Sequence, residues 1–201
     1  MQLTKTRKSV LLALFIGMET VLMVTPLGFI PIGPIKATTL HIPVIVISIL
    51  LGVKEGMILG FYFGLCSLVM STFNPTPFSF CFSPFYSIGE VSGNFCSVLI
   101  ALVPRITLGF VSGTLFHVLQ EKMKDTNSIL LSSLISTILH TAMVMGGIYL
   151  FFGREYAAIS GFAYETFLNV IKLTICTNGL LEAFMAGFMT LAIYKTLQKI
   201  K

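Results

Sequence analysis

Residues 26–43 read PLGFIPIGPIKATTLHIP and hold four of the eight prolines, together with Lys36 and His41. Pro26, Pro31 and Pro34 remove backbone donors and fix φ, and Gly28 and Gly33 admit turn geometries, so regular helix is disfavoured here. Long apolar runs lie on both sides. Non-helical backbone at membrane depth persists only where protein buries it or where it lines a cavity. The stretch therefore reads either as a cap over a binding site or as a stiff outer loop.

The flanking runs set the class. Of 201 residues, 55% are hydrophobic and only 10% charged, with a mean hydropathy of +0.93; soluble domains carry about a quarter charged residues. The fold class is all-α, a single integral membrane domain over 1–201. Apolar stretches fall at about 10–27, 39–53, 57–72, 97–119, 129–152 and 167–197. At roughly 20 residues per crossing they make a bundle of six transmembrane helices, with outer loops at 28–38, 73–96 and 153–166. Lys5, Arg7 and Lys8 before the first run resemble a signal-peptide start, but no small-residue cleavage site follows, so the run is read as retained.

A net charge of +5 would suggest nucleic acid in a soluble protein, but here the basic residues report orientation. Lys5, Arg7, Lys8, Lys54, Lys122, Lys124, Lys195, Lys199 and Lys201 fall on one side of the bundle. Lys36, Arg105, Arg154 and Lys172 fall on the other. Both termini are thereby expected in the cytoplasm, and no nucleic-acid partner is expected. Cys66, Cys81, Cys96 and Cys176 lack CxxC spacing and sit in apolar or aromatic surroundings, so packing is their expected role, although Cys81 and Cys96 could meet outside the membrane.

Helix faces follow from spacing. The third run carries Gly56, Gly60 and Gly64, then Ser67 and Ser71, a small-residue stripe that reads as scaffold. The fourth sets Arg105, Gly109, Gly113 and His117 at successive i+4 steps, which turns Arg105 into the bundle. A charge there either meets a ligand or pairs with Glu90 or Glu165. In the first run Ala13 and Gly17 form a small pair, and Glu19 lies roughly 140° from that face, pointing inward. The pair fits a partner helix in the membrane or ordinary internal packing.

The segment 73–95, FNPTPFSFCFSPFYSIGEVSGNF, is long for a loop without structure of its own, which marks lids and binding loops. It carries Asn74, Tyr86, Glu90 and Asn94 and reads as a second lid or as an aromatic belt. Ser133, Thr137, His140 and Thr141 form a polar stripe; Lys172, Asn178 and Glu182 interrupt the last apolar run, with Gly179, Ala183 and Gly187 beside them. Polar groups in hydrocarbon need partners, so both sets are expected to face inward. No GxxxxGK[ST], HExxH, GxSxG or paired metal-ligand spacing occurs, so neither ATP hydrolysis, a metal nor a cofactor is expected of this chain.

In order along the chain, GFIPIGPIKATTLHIPVIV, LGVKEGMILGFYFGLCSLV, NPTPFSFCFSPF, ALVPRITLGFVSGTLF and TNGLLEAFMAG resemble the substrate-binding S subunits of energy-coupling-factor (ECF) vitamin transporters, most closely the pantothenate type. The resemblance covers nearly the whole chain. It implies a vitamin site near the outer face, in the bacterial cytoplasmic membrane, beneath the loops after helices one, three and five. It also implies a transmembrane coupling (T) subunit and two ATPase subunits as partners, the latter powering a tilt of the S subunit. The family's AxxxA coupling surface falls on Ala13 and Gly17, with glycine in place of the second alanine. Its proline-arginine and asparagine positions fall on Pro104, Arg105 and Asn178.

Pantothenate is a carboxylate with hydroxyls and an amide, which calls for a cation and neutral hydrogen-bonding groups in an apolar pocket. Lys36, Arg105 and Lys172 are the outer cations; His41, Asn74, Tyr86, Asn94, His140 and Asn178 are the candidate polar contacts. Competing readings are an S subunit for hydroxymethylpyrimidine or pyridoxine, a membrane enzyme using His140 and Glu182, and an assembly subunit without a ligand.

Overall fold

The computed structural model describes residues 4–25, 28–32, 35–161 and 163–199; side chains of residues 29–32, 35–37 and 198–199 lie outside that description. The turn expected from Pro26, Gly33 and Pro34 also lies outside the described residues. The order is α1 (Lys5–Val24), β1 (Phe29–Ile32), β2 (Ile35–Thr38), α2 (His41–Leu51), α3 (Val53–Phe73), β3 (Ser87–Ile88), β4 (Val91–Ser92), α4 (Phe95–Gln120), α5 (Asp125–Ser160), α6 (Tyr164–Thr174) and α7 (Leu180–Lys199). A π turn at Ile175–Gly179 joins α6 to α7 into one rod. Among the described residues, Val53–Phe73, Phe95–Gln120, Asp125–Ser160 and Tyr164–Leu197 are long and apolar enough to cross a membrane. The protein is a helical membrane bundle.

Short α2 is its hub. From His41 to Ile49 every residue is buried, so the helix is apolar all round because protein surrounds it on all sides. It packs against α3, α4 and α7. Gly52, with φ at 120°, reverses the chain in one residue between α2 and α3, a conformation L side chains rarely adopt. At this end Lys8 Nζ donates to the Leu51 carbonyl (2.8 Å) and pairs with Glu55 (3.7 Å), tying α1 to the α2–α3 turn.

The glycine stripes bring backbones together. A Cβ on Gly60 would fall on the Arg105 carbonyl, one on Gly64 would lie 2.7 Å from the Ala101 carbonyl, and one on Gly109 would meet the Gly56 carbonyl. Helices α3 and α4 therefore touch through main chain, and Ser48 of α2 closes the seam by donating to the Gly109 carbonyl at 2.5 Å. On the far side α7 lies on α5, with Gly179 opposite Thr141 and Gly187 opposite Leu130. Glu19 faces inward with no exposed surface, and neither of its carboxylate oxygens has a hydrogen-bond partner in the described structure.

Several boundaries differ from the sequence reading. The expected outer loop 153–166 is mostly helix: α5 continues past a local break at Phe152 to Ser160, where Gly161 caps it in left-handed geometry. The apolar run ends at 152, but the segment after it contains no proline and a helix can leave the bilayer without ending. The first helix begins at Lys5 rather than near residue 10, because Thr4 caps it by accepting the Arg7 N–H. The expected loop 28–38 is an antiparallel hairpin with Phe29 opposite Thr38. Within 73–96, a 3₁₀ turn (Ser79–Cys81) and the β3–β4 hairpin supply structure of their own.

The backbone seam predicts that Gly60→Leu lowers thermal stability sharply, by the ~1–3 kcal/mol of an overpacked contact or more. Gly17→Ala, whose Cβ would meet nothing within 4 Å, leaves stability unchanged. Melting curves of both variants in detergent check the contrast.

Candidate functional site

Beyond the seam, α3, α4, α5 and the α6–α7 rod line a cavity of about 510 Å³. That is within the roughly 300–1,000 Å³ range of small-molecule sites. Both lid segments contribute to its lining, through Thr38 and Leu40 from the first and Asn74, Thr76, Ser79 and Phe82 from the second. The second lid is anchored in place. Ser97 Oγ donates to the Phe80 carbonyl (2.6 Å), Thr72 and Ser83 share a hydroxyl bond (2.6 Å), and Phe80 packs edge-on against Phe152. Burial pushes the nearby Cys81 thiol up to about 12, so it stays protonated and inert. All four cysteines are free, so the possible Cys81–Cys96 bridge is absent.

Arg105 supplies the cavity with a cation. Pro104 sits inside α4 and has no N–H, so the carbonyl of Ile100, four residues earlier, loses its helical donor. The Arg105 guanidinium takes that carbonyl instead, Nη1 to O at 2.6 Å. Phe63 and Phe82 stand 5.4 and 5.3 Å from its centre, flanking it with aromatic rings. The side chain is 7% exposed, its Nε has no partner, and among the described residues no carboxylate lies within ion-pairing distance. The alternative of a structural pair with Glu90 or Glu165 is thereby set aside; both acids are exposed.

Around this cation the other walls are polar at a few points only. His140 lines the cavity and stacks on His41, with ring centroids 6.4 Å apart and planes 16° from parallel. The Nε2 atoms of both rings are buried without partners. Asn178 enters the lining from the π turn, where one extra residue per turn re-aims side chains. Glu182 follows one turn later, and its Oε1 accepts both the N–H and the Oγ1–H of Thr38, each at 2.8 Å.

Of the residues the sequence singled out, Asn74, Arg105, His140 and Asn178 meet in this cavity, and His41 lies behind His140. Others do not join them. Asn94 is the N-cap of α4, accepting the Cys96 N–H at 2.8 Å and donating its own N–H to Ser97 Oγ at 3.0 Å. An asparagine three residues before a serine at a helix start was a capping signal rather than a ligand signal. Tyr86 packs into the lid's aromatic cluster, and Lys172 is exposed. Lys36 lies in β2, but its side chain is outside the described set. Missed altogether were Phe63, Phe82 and Thr38. Ser67 and Ser71, taken for scaffold, line the cavity. Their hydroxyls, one and two turns beyond Gly64, distinguished them from the glycines.

A membrane bundle with a lidded, ligand-sized chamber and a cation that pairs with no carboxylate among the described residues has the build of a membrane solute-binding protein. The family model described as "ECF transporter, substrate-specific component" matches residues 7–194. The pantothenic acid transporter PanT of Lactococcus lactis subsp. cremoris (strain MG1363) is 32% identical over 204 residues, taking in 100% of this chain and 98% of that protein. The chain belongs to the substrate-specific components of ECF transporters.

Pro104 generates a prediction. Pro104→Ala returns an N–H to the Ile100 carbonyl, which then competes with Arg105. Stability of the ligand-free chain should hold or rise, while affinity for an acidic ligand falls several-fold; titration calorimetry and melting curves measure both.

Proposed function

We propose that the chain captures pantothenate in the chamber at the outer face of the bacterial cytoplasmic membrane, with both termini in the cytoplasm. It performs no reaction of its own and passes the vitamin inward in complex with a transmembrane coupling subunit and two ATPase subunits. The observation that carries the substrate reading is Arg105. A buried guanidinium without a protein carboxylate is costly unless an anionic ligand completes it. Asn178, His140 and Asn74 provide neutral hydrogen-bonding groups for hydroxyls and the amide, and Phe63, Met70 and Val144 provide apolar wall. The name of the Lactococcus relative agrees with this choice. The enzyme alternative needs His140 and Glu182 within reach of a common centre, and among the described residues the two side chains share no hydrogen bond.

Arg105→Gln should weaken binding of pantothenate by about 10- to 100-fold, the range of a charge-assisted hydrogen bond. The neutral alcohol analogue should lose far less. Equal losses measured by radioligand or calorimetric binding assign Arg105 a structural role and sink the proposal.

For coupling, the support is the outward face of α1. Ala13 and Gly17 are exposed, and nothing in the chain lies within 4 Å of where a Gly17 Cβ would be. Ala13→Trp should abolish uptake into cells or vesicles carrying the whole transporter, yet leave binding to the isolated subunit intact. Persisting uptake moves the coupling surface elsewhere.

A further inference from the structure

The chamber contains a second charge that the capture of a carboxylate does not use. Glu182 lines it from α7, whereas Arg105 lines it from α4, and α5 packs against both helices. The carboxylate is firmly positioned. Two donors from Thr38 converge on Oε1. Taking both donors from Thr38, the carboxylate serves here as a hydrogen-bond acceptor. Thr38 occupies Oε1, so Oε2 is the atom a ligand would address.

An anion in a chamber that receives an acid constrains the acid. The ligand's carboxylate is repelled from Glu182 and drawn to Arg105, so the end that reaches Glu182 has to bring a hydrogen-bond donor. Asn178 and Thr174, at one-turn steps before Glu182 along the rod, extend this wall with neutral polar groups. We infer that Glu182 is a specificity-determining residue: it accepts a hydrogen bond from a hydroxyl at the end of the ligand remote from its carboxylate. The chamber thus selects hydroxylated monocarboxylates, and it rejects dicarboxylates and analogues stripped of that hydroxyl. The inference rests on the reading that Arg105 holds the carboxylate.

Calorimetric titration of the purified full-length chain tests it with three probes: pantothenate, its analogue lacking the terminal hydroxyl, and a dicarboxylate of similar length. The wild type should prefer pantothenate over the deoxy analogue by about tenfold or more, because a site built around a hydroxyl leaves its acceptor unpaired without one. The dicarboxylate should bind more weakly still. Glu182→Met, which removes the acceptor at similar length, should bring the pantothenate-to-deoxy ratio close to one. Thr38→Val, which drops the hydroxyl tie and keeps the carboxylate, should retain the preference. Arg105→Gln should weaken both monocarboxylates while preserving their ratio. Equal wild-type affinity for the two, a ratio unchanged in Glu182→Met, or a collapse of the ratio in Thr38→Val as complete as in Glu182→Met overturns the inference, and the first of these needs no variant to fold. A wild type that binds no pantothenate overturns the substrate reading as well, whereas binding with an unaltered ratio in Glu182→Met removes only the role of Glu182.

Discussion

A guanidinium held inside a membrane bundle, with no carboxylate beside it among the described residues, is the constraint around which the rest of the molecule is arranged. Desolvating such a charge costs several kcal/mol, and the structure offsets part of that with unlike means: one carbonyl released by Pro104, two aromatic faces, and nothing ionic. The offset is deliberately incomplete in the physical sense that Nε still lacks a partner. An ion pair would stabilise the empty protein better and leave less for a ligand to gain. On the proposed function, the subunit thus keeps an electrostatic interaction open for an anionic ligand.

Holding that charge in place requires a frame that does not relax around it. The glycines of α3 and α4 provide one, since main chain pressed on main chain leaves no flexible side chain to yield. Ser48 fastens the completely enclosed α2 to the same seam. Over this frame the lids are tied by a few hydrogen bonds, Thr38 to Glu182, Ser97 to Phe80 and Thr72 with Ser83. The division suits a binding subunit, with a main-chain-packed floor and a cover whose second segment is itself packed into the bundle through Phe80 and Cys81.

Much of this was legible in the residues. Proline and glycine density marked both lids, and i+4 spacing of Arg105 with Gly109 and Gly113 turned the cation inward. The parts that escaped share a cause. In a bilayer the lipid-facing and protein-facing sides of a helix are both apolar, so periodicity does not reveal which face lines a chamber. Phe63 and Phe82 were indistinguishable from belt aromatics for that reason, and Lys172 looked inward when it is exposed. Asn94 was ambiguous in another way, because an amide that caps a helix and one that meets a ligand have the same composition, and only the following serine tells them apart. The helical continuation of α5 past Phe152 depended on packing against the lid rather than on hydropathy.

The account turns on one contact, and a ligand-bound structure of the purified subunit measures it most directly. With pantothenate present, the carboxylate is expected between Phe63 and Phe82, within hydrogen-bonding distance of the Arg105 guanidinium. A bound molecule whose acid group points at solvent or at another cation, with Arg105 still bonded only to the Ile100 carbonyl, would contradict it.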